Sequence, residues 1–250
     1  MIRGIYISGS GMLVQQLNFD TISNNLANVE TPGFKKDSNV ISPFHEELLF
    51  HIENNNGLKK KSIGRMAYGA AAAETVTSFE QGDVQYTGRA LDAAIEGEGF
   101  FVVQEEEGVR VTRNGRFRLD TNGYLVTGEG YRVLGHNGFI QLSGEDVQID
   151  SSGAITQDGV EASRLLVITF EDADRIVKDG STLFFAPEDL QPSAADYKVI
   201  QRCLEKSNVD VAQEISNMVI TARAYEANQR LVQAYDRILE QSVKELGSLK

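Results

Sequence analysis

The sequence predicts an α+β fold: long N- and C-terminal helices that pack as a coiled-coil-like pair, with a central all-β domain between them. Three observations predict it. Ile5, Met12, Phe19 and Leu26 recur every seven residues near the start. Val211, Met218, Tyr225, Val232, Leu239 and Leu246 do the same, without a gap, near the end. That period is the seam of a helix packed on another helix. Between about residues 80 and 200, short apolar runs alternate with glycine-containing turns, the pattern of antiparallel strands.

The first helix is expected from Arg3 to Asn28, roughly 39 Å at the usual rise per residue, with Ile22 and Val29 on the adjoining stripe. Gly9 and Gly11 each weaken it by about 1 kcal/mol relative to alanine, so alone in water it is marginal. The segment 30–79 holds Pro32, Pro43, an asparagine run at Asn54 to Asn56 and an alanine patch at Ala70 to Ala73. It reads as an extended connection with little core of its own. Lys59, Lys60 and Lys61 with Arg65 form the one basic cluster, read as a solvated loop.

In the strand region, "RFRL", "DTNG" and "YLVT" make a hairpin with an Asn122-Gly123 turn. "DSSGAI" resembles "DTNGYL" because it makes a second turn of the same kind, not because the chain repeats. Turns at Ser143-Gly144, Asp158-Gly159 and Asp179-Gly180 punctuate the apolar runs "LLVITF" and "LFF". Ser207 with Asp210 forms a capping box, with Asn208 as an alternative cap, so the last helix starts near Val209 and runs to about Leu246, roughly 55 Å. Ile215, Ala222 and Val243 join its seam four residues on, while Gln229 and Asp236 interrupt that stripe. Leu231, Tyr235 and Ile238 supply a second apolar face, so this helix needs more than one neighbour. The expected organisation is therefore 1–29 first helix, 30–79 connection, 80–206 β domain and 207–250 last helix.

Composition limits the function. With 250 residues, 41% of them hydrophobic, the chain can bury a core. A formal charge of -12 and a pI near 4.8 oppose broad contact with nucleic acid. Cys203 is the sole cysteine, which excludes an intrachain disulfide. Met1 to Leu17 is broken by Ser8-Gly9-Ser10-Gly11 and Gln15-Gln16, so a cleavable secretion signal is not expected, and no segment approaches the length of a membrane span. "GEGFFV" at Gly97 lacks the third glycine of a dinucleotide fingerprint and any Walker lysine. The loop at Asp120 carries Tyr124 and Leu125 where a calcium loop needs an oxygen ligand and a glycine. His45, His51 and His136 have no zinc-ligand spacing, and acids such as Glu96 and Glu98 are too common here to mark a hydrolase. The expectation is a non-enzyme with no cofactor and no metal. The rival class is a secreted binding module or carbohydrate-active enzyme in which the β domain acts and the helices attach it.

Three stretches carry a resemblance beyond composition. "SNNLANVETPGFKK" at Ser23 to Lys36 resembles the N-terminal signature of the bacterial flagellar rod and hook family. "TGRALDAAIEGEGFF" with "TRNGRFRLDTNGYLVT", and "SNVDVAQEISNMVITARAYEANQRLV" at Ser207 to Val232, agree with the same family in the same order. Hook proteins of the family are much longer, so the resemblance points to rod subunits. The compact region between Asn137 and Lys198 favours the proximal rod type over the distal.

The resemblance implies a self-assembling structural subunit of the flagellar basal body whose terminal helices line a hollow shaft that transmits torque and encloses the export channel. Implied partners are copies of itself, adjoining rod and hook-family proteins, and the flagellar type III export apparatus, which would pass the chain unfolded and uncleaved to a site outside the cytoplasmic membrane. The assembly interface would use Ile5, Met12, Phe19, Ile22, Asn24, Asn25, Leu26 and Asn28 on the first helix. On the last helix it would use Val211, Ile215, Met218, Ala222, Tyr225, Asn228, Leu231, Val232 and Leu239. Amides in an apolar seam are satisfied in one register, so Asn24, Asn25 and Asn28 either set axial alignment between subunits or, for Asn28, end a helix. Thr31, Pro32 and Gly33 turn the chain out of the wall: proline disfavours helix in the residue before it, and glycine allows the positive dihedral of a type II turn.

Overall fold

The computed structural model describes residues 2–53, 59–143, 147–170, 172, 175–187, 190, 192–193 and 197–247. Two compact units emerge: residues 1–24, 37–76 and 211–250 form one, and residues 25–36 with 77–210 form the other.

The first unit contains α1 (Ile2–Ala27) and α2 (Val211–Gly247). Their packing explains two of the glycines. A Cβ on Gly4 would overlap the Tyr235 ring, and one on Gly11 would lie 3.0 Å from the Asn228 amide nitrogen. Steps of seven up α1 thus meet steps of seven down α2, so the helices run antiparallel. Gly11 is therefore where α1 admits the side chain of Asn228, whereas Gly9 has nothing within 4 Å.

The inward line on α2 is Met218, Thr221, Asn228, Val232, Tyr235, Leu239 and Ser242, all buried or half-buried. The seven-residue stripe of Met218, Val232 and Leu239 lies on it, but its companion stripe sits three residues on. Of the stripe four residues on, Ala222 is half-buried, but the rest points outward: Ile215 is 48% and Val243 68% exposed, and Gln229 and Asp236 are exposed. The interruption by Gln229 and Asp236 marked that stripe as wet. The helix also starts two residues later than the capping box suggested, because Val209 is buried in the other unit and its N–H is held by the Ser207 hydroxyl at 3.3 Å.

The segment expected to be a bare connection is a two-stranded ribbon, β1 (Asp37–Glu53) paired with β2 (Lys59–Thr77). Pairing satisfies the backbone groups that a lone extended chain would leave to water. A two-strand ribbon has an outer edge on each strand, where Pro43 is tolerated. At the foot of the ribbon, the Asn39 amide donates to Asn18 Oδ1 (3.1 Å) and Thr21 Oγ1 (2.9 Å) and accepts from Thr75 Oγ1 (2.9 Å). Higher up, the Ala70 N–H donates to Ser10 Oγ, and Tyr6 faces Phe44 with ring centroids 6.3 Å apart. The asparagine run and the side chains of Lys59 to Lys61 lie outside the described residues.

The second unit is built on the strand Phe100–Glu105. It pairs antiparallel with Gly108–Thr112 on one edge, and with Arg132–Gly135 and Val167–Phe170 on the other. Ala93–Gly97 pairs with Tyr197–Gln201, and Val84–Tyr86 with Cys203–Glu205. A meander of Val147–Ile149, Ala154–Gln157 and Val160–Arg164 completes it. Alternate side chains of Phe100–Glu105 feed two cores. Phe101 and Val103 join Phe117, Leu125, Ile140 and Leu165 on one face, and Phe100 and Val102 join Phe184 and Phe170 on the other.

The turns of "DTNGYL" and "DSSGAI" both form, whereas Gly144 of the Ser143-Gly144 turn lies outside the described residues. Arg118–Leu119 pairs with Leu125–Val126, and the Asp120 carboxylate accepts from the Asn122 and Tyr124 N–H groups at 2.8 Å each. Asp150 does the same for Ser152 and Ala154.

Candidate assembly surface and its junction

Acids and bases nearly cancel over residues 1–24, 37–76 and 211–250, so almost all of the formal charge of -12 sits on the β unit. The near-neutral helix unit also carries most of the exposed large apolar side chains. Among the described residues these include Tyr6 (55%), Leu13 (65%) and Leu17 (48%) on α1, and Ile220 (62%), Leu231 (51%) and Ile238 (48%) on α2. Apolar exposure on this scale, with little net charge to repel a copy, is the kind of surface on which proteins associate.

The predicted interface residues distribute unevenly over it. Phe19, Val211, Ile215, Tyr225 and Leu231 are exposed. Ile5, Met12, Ile22 and Leu26 on α1, and Met218, Ala222, Asn228, Val232 and Leu239 on α2, are half-buried within a single copy. Phe19, Ala222 and Tyr225 share with Gln15 and Thr221 an open groove of about 400 Å³ between the helices. The asparagines separate: Asn24 is exposed, Asn25 is 1% exposed, and Asn28 follows the last helical residue, its carbonyl accepting from the Thr31 N–H at 3.1 Å.

The turn after α1 is tightly constrained. The Phe34 N–H reaches the Thr31 carbonyl at 3.3 Å with Gly33 at φ 70°, as a type II turn requires. A Cβ on Gly33 would collide with the backbone of Arg113 and Asn114. The next two side chains, Phe34 and Lys35, are both fully buried.

Lys35 Nζ donates to Glu205 Oε1 and to the Glu80 carbonyl, each at 2.6 Å. Arg113 donates to Glu205 Oε2 at 3.3 Å and to the Gly97 carbonyl at 2.9 Å. Glu205 also accepts from the Gly82 N–H at 3.0 Å, and its own carbonyl takes the Gly33 N–H at 2.9 Å. Burial pushes the Lys35 ammonium and the Arg113 guanidinium below their ordinary values, and the attraction of Glu205 opposes both shifts.

Lys178 covers Phe34, its ammonium 3.8 Å from the ring centroid, while donating to the Lys35 carbonyl at 2.7 Å. Asn208 ties the outgoing and returning chain together: its Oδ1 accepts from the Lys36 N–H at 2.8 Å and its amide donates to the Ser78 carbonyl at 2.9 Å.

The three sequence signatures thus converge on one buried ionic junction. Its members Phe34, Lys35, Arg113 and Glu205 were not singled out by periodicity or turn chemistry, although all but Glu205 lie inside the quoted stretches, and Asn208 was legible only as an alternative helix cap. Tandem lysines and an isolated glutamate read as solvent-facing until their partners are known. Among the described residues no group of three or more His, Cys, Asp or Glu side chains could hold a metal, and no helix is long and apolar enough to cross a membrane.

Comparison with known proteins places these signatures. Residues 5–35 match the family described as flagella basal body rod protein, 94–159 the flagellar hook protein FlgE/F/G D1 domain, and 200–245 the flagellar basal body rod FlgEFG protein C-terminal. The chain is 34% identical to the flagellar basal-body rod protein FlgG of Borreliella burgdorferi, covering 96% of this chain and 97% of that one. It is 32% identical to FlgG of Bacillus subtilis over 97% and 98% of the two chains. It is 28% identical to the rod protein FlgF of Caulobacter vibrioides over the whole of both.

Proposed function

The chain belongs to the flagellar basal-body rod family, a structural component of the basal body, and from that membership we propose that it builds its part of the rod by self-association through α1 and α2. The observation that carries this reading is the concentration of exposed apolar side chains on a helix unit of almost no net charge, while the β unit holds nearly all the net negative charge. Assembled copies would bury the former and keep the latter in water, giving a shaft that transmits torque and encloses the export channel. Its partners would be copies of itself and adjoining rod and hook-family proteins.

Export through the flagellar type III apparatus without cleavage belongs to the same reading. Purified basal bodies should contain the chain with Ile2-Arg3-Gly4 intact, and the protein should vanish from them when the export gate is disabled. A terminus beyond Ile7, or incorporation without the gate, would refute it.

On position along the rod, the compact region between Asn137 and Lys198 supports the proximal place. The higher identity to relatives named FlgG supports the distal one as a second reading. Basal bodies from cells blocked before distal assembly separate the two: a proximal subunit is retained in them and a distal one is missing.

A further inference from the structure

At the foot of the ribbon a notch of about 250 Å³ opens between α1, β1 and α2. Its wall is rich in oxygen, from Asn18, Asp37, Glu214, Asn217 and Thr221, with Ile22 and Ile220 as apolar sides. Glu214 lines this notch and is 7% exposed as a residue; among the described residues its carboxylate has no hydrogen-bond or ion-pair partner, and its oxygens open to the water of the notch. An enclosed carboxylate that meets only the water of a notch is open to pairing with a cation that enters from outside. The notch is large for a bare ion, and its apolar sides suit the stem of a long cationic side chain.

The same helix carries such side chains on its far side. Arg223, Arg230, Arg237 and Lys244 recur every seven residues and are all exposed. Arg230 pairs with Glu226 at 3.6 Å and Lys244 with Glu240 at 2.6 Å, while Arg223 and Arg237 have no ion pair among the described residues. These arginines stand two positions after Thr221, Asn228 and Tyr235, about 200° around the helix. They point away from the seam and cannot reach the notch of their own copy.

We propose that the Glu214 notch receives an arginine of this stripe from a second copy, its guanidinium paired with the Glu214 carboxylate. The proposal rests on the self-association reading above and names the contact through which it acts. Because notch and stripe lie on different faces of one helix, the contact is head to tail. Such a contact does not close into a dimer but repeats along an open helical array.

The test uses cells in which the full chain is the only copy. Glu214→Gln, and at least one of Arg223→Glu, Arg230→Glu and Arg237→Glu, should reduce recovery in purified basal bodies by about 30-fold or more, the scale for breaking a buried interfacial charge pair. Glu214→Arg combined with the matching Arg→Glu should restore it. Copies bearing Asn217→Cys should form a disulfide with copies bearing a cysteine at one position of the stripe.

The purified Glu214→Gln monomer should melt no lower than the parent, because its carboxylate has no partner inside one copy. A lowered midpoint, recovery of Glu214→Gln at the parental level, or no cross-link to the stripe would each overturn the proposal while leaving the rod reading intact. Absence of the parental chain from basal bodies would instead overturn the rod reading itself.

Discussion

Replacing Glu205 with glutamine should unfold the β unit far more readily than replacing Lys35 with methionine, although the two side chains form one buried pair. In the folded chain the Glu205 carboxylate faces Lys35 at 2.6 Å and Arg113 at 3.3 Å, with exposures of 0%, 0% and 5% for the three. Glu205→Gln strips the counter-charge from two buried cations at once, and removing one partner of a buried pair costs about 3–5 kcal/mol. Lys35→Met leaves Glu205 still held by Arg113 and by the Gly82 N–H, and it removes an ammonium whose burial was itself unfavourable. Its loss is that of a charged hydrogen bond, about 1.5–3 kcal/mol.

At roughly 2–4 °C per kcal/mol for a chain of this size, the glutamine variant should melt about 6–20 °C lower. The double variant should fall well short of the sum of the singles, since both act on one network. Urea unfolding followed by near-ultraviolet circular dichroism reads the aromatic cores of the β unit directly. A methionine variant as unstable as the glutamine variant, or a glutamine variant within about 1 kcal/mol of the parent, would show that Glu205 does not neutralise both cations.

Gly33→Ala should destabilise the β unit by about 2 kcal/mol or more, because it combines a left-handed backbone with overlap on the chain at Arg113 and Asn114; thermal melting checks it, and a neutral result would refute the turn assignment. Asp150 is held below its ordinary carboxylate range by the Ser152 hydroxyl and by the Ala154 and Ser152 N–H groups. Its contribution is therefore full above pH 3.8 and is lost as pH falls through its lower folded value. Asp150→Asn should flatten acid unfolding in that window, and an unchanged acid limb in a pH series of melts would contradict this. Ile238→Asp, on the exposed face, should block incorporation into basal bodies while the monomer melts as before, whereas Val232→Asp in the half-buried line should also loosen the helix pair of the monomer. Helix content by far-ultraviolet dichroism distinguishes the two, and equal loss in both would refute the assignment of inner and outer faces.

Short-range chemistry was legible in the chain read residue by residue. The turns at Asp120 and Asp150 are closed by a carboxylate reaching N–H groups two and four residues on, so their residues announce them without any distant partner. Gly33 and the seven-residue stripe of Met218, Val232 and Leu239 were legible for the same reason: a dihedral and a helical period are local properties. The tertiary structure alone decided the rest. Lys35 is buried because Glu205 lies against it from 170 residues away, and no local pattern distinguishes that lysine from the half-buried Lys36 beside it. Which companion stripe of α2 turns inward depended on where Gly4 and Gly11 of α1 clear space for Tyr235 and Asn228. The extended run from Asp37 became a ribbon only by pairing with the run that ends at Thr77. Burial, pairing and charge neutralisation are contacts between segments, and a single chain read in order holds only one side of each.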